Sequence, residues 1–322
     1  MNIDHGKRTW SDGELEELRQ LLRSHMAEAS IIQAQVSRGS GVASATLSQF
    51  LSGSYAGDNM KIASQLARWL DARHREAEVL ETAPPEPTFV MTPTATRVMT
   101  ALQHAQVLGD MALIVGAPGV GKSAAARQYA AKTPRVVTAT ASPAVRSVSA
   151  ILATIITAIS GRAPTYRVRI ECTNSIRQNL SAGWLLVVDE AQWCDFEALE
   201  ELRAIHDATK CGLVLMGNAS VLSRIEGAAR DPAYAQLFGR AGWRVRLDRS
   251  DLADVAPVLE TMGVTSPEVV DYCKQIAGRD SLRVVIKVVR GALMVSRGAR
   301  EDLNPHHLAA AYRLLGGTAQ RA

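Results

Sequence analysis

Residues Gly116, Ala117, Pro118, Gly119, Val120, Gly121, Lys122 and Ser123 carry the spacing G-x-x-x-x-G-K-[ST]. Glycines at these positions let successive main-chain N–H groups turn toward one anion. The chemistry is polyphosphate binding. Lys122 reaches outer phosphates, the Ser123 hydroxyl is a ligand for Mg²⁺, and the first helical residues through Ala124 add the dipole of a helix N-terminus. Such a loop must leave a strand and enter a helix. The apolar run Met111 to Val115 reads as a buried strand, and residues 123–131 read as the start of a helix. A chance glycine-rich turn would explain neither flank.

A second chemical feature follows the apolar run Trp184 to Val188, which ends in Asp189 and Glu190. A strand ending in two acids sets them at the carboxyl edge of a parallel sheet, where ligands bind. There Asp189 is suited to hold Mg²⁺, through water, and Glu190 to polarise an attacking water. The ordinary alternative is a strand capped by solvated acids. A third run, Gly212 to Met216, ends in Gly217 and Asn218. Asn218 at a strand tip can sense a γ-phosphate or place a water, or it can be a turn asparagine.

Together these motifs resemble the AAA+ ATPases, over roughly residues 90–315. The resemblance makes residues 116–123 Walker A, Asp189-Glu190 Walker B and Asn218 sensor 1. It implies an α/β P-loop NTPase: a parallel sheet with helices on both faces, followed by a C-terminal helical lid. It also implies ATP with Mg²⁺, and an arginine contributed to the site by a neighbouring subunit. Arg240, ahead of the strand expected at 243–247, is favoured over Arg230 and Arg224. A sensor 2 arginine from the lid is expected at Arg283, with Arg279 second. No Asn-Lys-x-Asp guanine-reading pattern follows the loop, which favours adenine.

With 322 residues and 47% hydrophobic content the chain is long enough for two or three packed domains. No apolar run approaches the roughly 18–20 residues of a membrane span, and the first residues lead into no apolar signal core. Four cysteines (172, 194, 211 and 273) show no C-x-x-C spacing. A cytoplasmic, reduced protein is the expectation.

The charge is local. Residues 1–80 hold 9 Lys/Arg against 10 Asp/Glu, residues 81–223 hold 12 against 11, and residues 224–322 hold 15 against 11. In the last segment Arg283, Lys287, Arg290 and Arg297 fall on one helix face, either a solvated face or a stripe toward nucleic acid or nucleotide. Arg146, Arg167 and Arg169 mark a second basic cluster. By the same family resemblance, it is expected to face a DNA channel.

The front of the chain is a separate object. Leu15, Leu18, Leu21 and Leu22 line a helix over 12–28. Two short helices then flank a turn at Gly39-Ser-Gly41, with Ala34, Val36, Val42, Leu47, Phe50 and Leu51 as the apolar contacts. A further helix spans 60–74. This is a small all-α helix-turn-helix domain, and it resembles the phage-repressor class. Ser44, Thr46, Ser48 and Gln49 on the second helix, and Gln33 on the first, are the groups available to duplex DNA. Lacking net positive charge, the segment reads as a weak, low-specificity DNA binder or as a protein-contacting bundle. The expected organisation is 1–80 for this domain, 81–90 for a proline-rich linker, 91–250 for the ATPase core and 251–322 for the lid.

This order of domains, the 116–123 loop and the Asp189-Glu-Ala-Gln192 box resemble the Mu phage transposition protein B family of target-selection ATPases. The resemblance implies double-stranded DNA, a transposase and further copies of the same chain as partners, in an ATP-dependent ring or filament, with no membrane. An ATP-regulated transcription factor, a helicase loader and a secretion or assembly ATPase share parts of the pattern.

Overall fold

The computed structural model describes residues 10–82, 84, 86–164, 168–220 and 241–317. The chain divides into two compact units, 1–83 and 84–322.

In the first unit α1 spans Asp12–Glu28, α2 Gln33–Ser40, α3 Ser44–Leu51 and α4 Asn59–Thr82. Ser11 starts α1 with a capping box: the Glu14 N–H donates to its hydroxyl, and its own N–H donates to the Glu14 carboxylate at 2.8 Å. Gly41, at φ 74°, ends α2 in a conformation that favours glycine and turns the chain into α3. Leu22, Val36, Leu47, Phe50 and Leu66 form the centre of the core. Two expected core residues are not in it: Ala34 is exposed, and Leu21 is 55% exposed. Both fall off the helix stripes that Val36 and Leu18/Leu22 define. The last helix also outruns the expected His74, since residues 75–82 contain no breaker before Pro84. Glu81 and Thr82 are therefore helical rather than linker.

In the second unit Thr92 caps α5 (Pro93–Leu108), with Pro93 in the first turn where a missing N–H is harmless. Then follow β1 (Met111–Gly116), α6 (Lys122–Lys132), β2 (Val136–Thr140), α7 (Val148–Ser160), α8 (Arg169–Asn179), β3 (Leu185–Asp189), α9 (Phe196–Thr209), β4 (Gly212–Gly217) and β5 (Ala241–Leu247). The five strands form one parallel sheet in the order β2-β3-β4-β1-β5. Its central strands are apolar on both faces, as a sheet covered by helices requires. Leu113, Val115, Leu186, Val188, Leu213 and Leu215 pack with residues of α7, α8 and α9. Ala112, Ile114, Leu185, Val187, Val214 and Met216 pack with α5 and α6.

The chain ends in helices α10 (Val255–Glu260), α11 (Pro267–Arg279), α12 (Leu282–Ala299) and α13 (Pro305–Leu314). Val285, Val288, Val289 and Ala292 of α12 are fully buried in their common core. Asp254, fully buried, accepts from the Thr94 N–H at 3.0 Å and so ties this end of the chain to the first turn of α5. Among the described residues no helix is long and apolar enough to cross a membrane.

Candidate nucleotide site

The loop 117–121 leaves β1 and enters α6 at the carboxyl edge of the sheet. Gly119 (φ 81°) and Gly121 (φ 105°) have left-handed backbones that side-chain-bearing residues rarely adopt. Lys122 is 8% exposed. Its ammonium donates to the carbonyls of Gly116 at 2.9 Å and Ala117 at 2.8 Å, so the loop is wrapped around it. Burial holds this ammonium below the usual lysine range. Asp189 and then Glu190 push it back up, while Arg283 adds to the lowering. The phosphate loop, the two acids and the C-terminal helices are therefore electrostatically coupled at Lys122.

Gly116 is needed for packing: a Cβ there would run into the carbonyl oxygen and side chain of Leu247 on the edge strand β5. The Ala117 N–H donates to that carbonyl at 2.9 Å, which fixes the loop's exit from the sheet. Ser123 is half-buried and Ala124 exposed, on the first turn of α6.

Asp189 ends β3, and β4 lies between β3 and β1. The Glu190 N–H donates to the Asp189 carboxylate at 2.9 Å. Glu190 itself has φ 56°, a left-handed backbone in a residue with a side chain, of the kind concentrated at functional sites. Ala191–Trp193 form a single 3-10 turn. From that turn the Gln192 side-chain amide donates to the Glu190 carboxylate, and its Oε1 accepts from the Asn218 N–H at 3.3 Å. Asn218, at the tip of β4, accepts from the Ser220 N–H at 2.9 Å and hydroxyl at 2.6 Å. Gln192 had no role in the sequence reading. Its proximity to the two acids was visible there; its bond to residue 218 depends on β3 and β4 being neighbours.

Arg283 lies in the first turn of α12. Its N–H donates to the Gly119 carbonyl at 3.2 Å, and the next-door Leu282 N–H donates to the Ser250 hydroxyl at 2.9 Å. Arg240, Arg230, Arg224 and Arg167 lie outside the described residues. Arg290, part of the expected basic stripe, donates to the Pro84 carbonyl at 3.2 Å and pairs with Glu86 at 3.0 Å. It holds down the linker, which removes one member from a continuous nucleic-acid stripe.

Of the other DNA candidates, Arg146 makes a bidentate pair with Asp195, with contacts of 2.8 and 3.0 Å. Arg169 donates to the Ser149 hydroxyl at 3.1 Å. Gln33, Ser44, Ser48 and Gln49 are exposed and Thr46 is half-buried. The α3 helix that carries four of them is held from behind: Arg19 donates to the Phe50 carbonyl at 2.7 Å, and Arg23 to that of Leu51. All four cysteines are free and buried, and burial pushes the Cys273 thiol up to about 12. Among the described residues no three His, Cys, Asp or Glu side chains group as metal ligands.

Comparison with known proteins agrees with this architecture. A family model for an AAA domain matches residues 108–225, and one for the C-terminal part of the Mu B transposition protein matches residues 239–315. The ATP-dependent target DNA activator B of Escherichia phage Mu is 31% identical over 94% of this chain and 96% of its own length. That of Escherichia phage D108 has the same identity and coverage. The Mu-like prophage FluMu DNA transposition protein B of Haemophilus influenzae is 31% identical over 77% of this chain and 85% of its own.

Proposed function

The chain belongs to the family of the phage Mu B transposition proteins, and from that premise we propose that it hydrolyses ATP and uses ATP binding to assemble on duplex DNA, presenting that DNA to a transposase. The relatives are named for target DNA activation and DNA transposition, which favours this reading over an operator-binding regulator or a helicase loader. The observation that carries it is the phosphate loop wrapped around the Lys122 ammonium at the sheet edge where β3 ends in Asp189, with Arg283 of the C-terminal helices bonded to Gly119.

In this reading the loop N–H groups of residues 117–123 and Lys122 bind the triphosphate. The Ser123 hydroxyl and the Asp189 carboxylate, oxygen donors as a hard cation prefers, would hold Mg²⁺, which supplies charge neutralisation at the phosphates when bound. Glu190 takes the proton from the attacking water, Asn218 reads the γ-phosphate, and Arg283 brings the C-terminal lid (251–322) onto the core (91–250). Arg240 of a neighbouring copy completes the site, so γ-phosphate binding and oligomerisation are one equilibrium. Many weak DNA contacts then add up along the assembly. Arg146, Arg167 and Arg169 supply them from the core. Gln33, Ser44, Thr46, Ser48 and Gln49 supply them from the N-terminal unit (1–80), beyond the linker at 81–90.

The test is Glu190→Gln with electron microscopy and ATPase assays. ATP binding and ATP-dependent assemblies on non-specific duplex should persist while hydrolysis falls by about 100-fold or more. Hydrolysis at the parent rate would remove Glu190 as the base. Discrete dimers bound to DNA regardless of nucleotide would remove the assembly reading.

A further inference from the structure

Main-chain hydrogen bonds close the turn after β3. The Trp193 N–H donates to the Glu190 carbonyl at 3.0 Å, and the Cys194 N–H to that of Ala191 at 3.1 Å. The Gln192 carboxamide is nevertheless engaged at both ends: its N–H₂ donates to the Glu190 carboxylate and its oxygen accepts from the Asn218 N–H. These two partners fix its orientation. A flipped amide would set donor against donor at Asn218 and acceptor against acceptor at Glu190. Glu190 is exposed and stands on a left-handed backbone, so the strand's own pleat does not set its side chain. Gln192 donates a hydrogen bond to its carboxylate. The carboxylate so held lies within the field of Lys122.

We propose that Gln192 is a positioning residue for hydrolysis: its carboxamide aims the Glu190 carboxylate at the water site and ties that aim to the tip of β4 at Asn218. Gln192 thus links the strand that carries the acids to the strand whose tip meets the γ-phosphate. A shift of the Asn218 main chain is passed to the base through one rigid amide. The inference rests on Glu190 acting on water, as proposed above, and adds what orients it.

An isosteric substitution separates the two arms. Gln192→Glu keeps an oxygen for the Asn218 N–H but replaces the donor at Glu190 by a second carboxylate. The two like charges repel, so the Glu190 carboxylate loses its aim while the link to Asn218 can remain, and kcat should fall by about 10-fold or more at unchanged KM. Gln192→Ala removes both arms. Its kcat should fall by about 10- to 100-fold, the range for residues that orient a reacting group, with KM for ATP within about twofold.

The measurement is steady-state ATPase of the full chain on duplex DNA, for both variants and for Glu190→Gln. Loss of kcat at unchanged KM in both Gln192→Ala and Gln192→Glu supports the assignment. If both variants keep the parent kcat while Glu190→Gln is inactive, Gln192 is only a turn residue and this inference alone fails. A rise in KM at unchanged kcat would overturn it equally. A Glu190→Gln protein that hydrolyses ATP at the parent rate removes the base, and this inference with it.

Discussion

The main-chain N–H of Arg283 donates to the carbonyl oxygen of Gly119, 3.2 Å away, so the first turn of α12 is bonded to the phosphate loop itself. The placement of the C-terminal helices is therefore tied to the loop by a main-chain contact that needs no nucleotide.

That contact predicts a difference between two glycines of the same loop. Both Gly119 and Gly121 have left-handed φ, so alanine at either is strained, by roughly 1–3 kcal/mol. A Cβ at Gly121 would meet nothing within 4 Å, whereas at Gly119 it would lie 2.8 Å from the Arg283 Cβ and 2.8 Å from the Ser281 hydroxyl. Gly119→Ala should therefore lower the melting temperature further than Gly121→Ala, and should weaken the stabilisation that ATP confers. Equal effects of the two substitutions would show that α12 does not press on the loop.

Lys122 gives a prediction about protons. Its folded-state pKa is lowered, chiefly by burial. For a cation with a lowered folded pKa, the penalty on the folded state is full below that pKa and is relieved as pH rises toward the unfolded value. This group's contribution to the stability of the nucleotide-free protein accordingly improves with rising pH over that interval. A bound triphosphate favours the charged form and raises the pKa, so at alkaline pH ATP binding should take up protons. Titration calorimetry in buffers of different ionisation enthalpy measures this uptake, and Lys122→Met should abolish it. An uptake unchanged in Lys122→Met would place the proton elsewhere.

How much of this was legible beforehand follows from the range of each interaction. The loop at 116–123, the acids at 189–190 and the strand runs around them are local patterns, and the parallel sheet with its covering helices was what the resemblance of those motifs to the AAA+ ATPases implied. Gln192's role was not legible, because the Asn218 N–H that fixes it is brought near only by the β3–β4 pairing. Arg290 sat in a regular stripe of cations, yet its partners at Pro84 and Glu86 are about 200 residues away in sequence. Periodicity assigns a residue to a helix face but not that face to a neighbour. Leu21 shows the same limit: its spacing allowed burial, but the narrow contact of α1 with its neighbours uses only the Leu15, Leu18 and Leu22 stripe.

The arginines behind α3 predict a stability effect confined to the N-terminal unit. Arg19 donates to the Phe50 carbonyl at 2.7 Å and stacks its guanidinium 5.0 Å from the Phe50 ring centroid. A cation on the last carbonyls of a helix satisfies acceptors that lack intrahelical partners and complements the dipole. Arg19→Ala should destabilise this unit by about 1–2 kcal/mol. Amide exchange across residues 44–51 should quicken, while ATP hydrolysis without DNA stays at the parent rate. Unchanged exchange in that helix would mean that the Phe50 carbonyl does not need Arg19.

The basic cluster of the core predicts opposite effects for the two ends of one ion pair. Arg146 is exposed, and its bidentate partner Asp195 already balances its charge. Among the described residues Arg169 donates to the neutral Ser149 hydroxyl. If both arginines meet phosphates in the assembled state, Arg169 enters with its full charge and Arg146 must first leave Asp195. Each phosphate neutralised contributes about 0.9 to the slope of log affinity against log salt. Arg169→Ala should thus flatten that slope by nearly this amount and Arg146→Ala by less. Asp195→Asn should steepen the slope and tighten binding at low salt, because it frees Arg146 without removing it. Filter-binding titrations on non-specific duplex with ATP, at several salt concentrations, measure all three. Slopes indistinguishable from the parent in all three variants would place this face of the core away from DNA, leaving attachment to the N-terminal unit and the C-terminal helices.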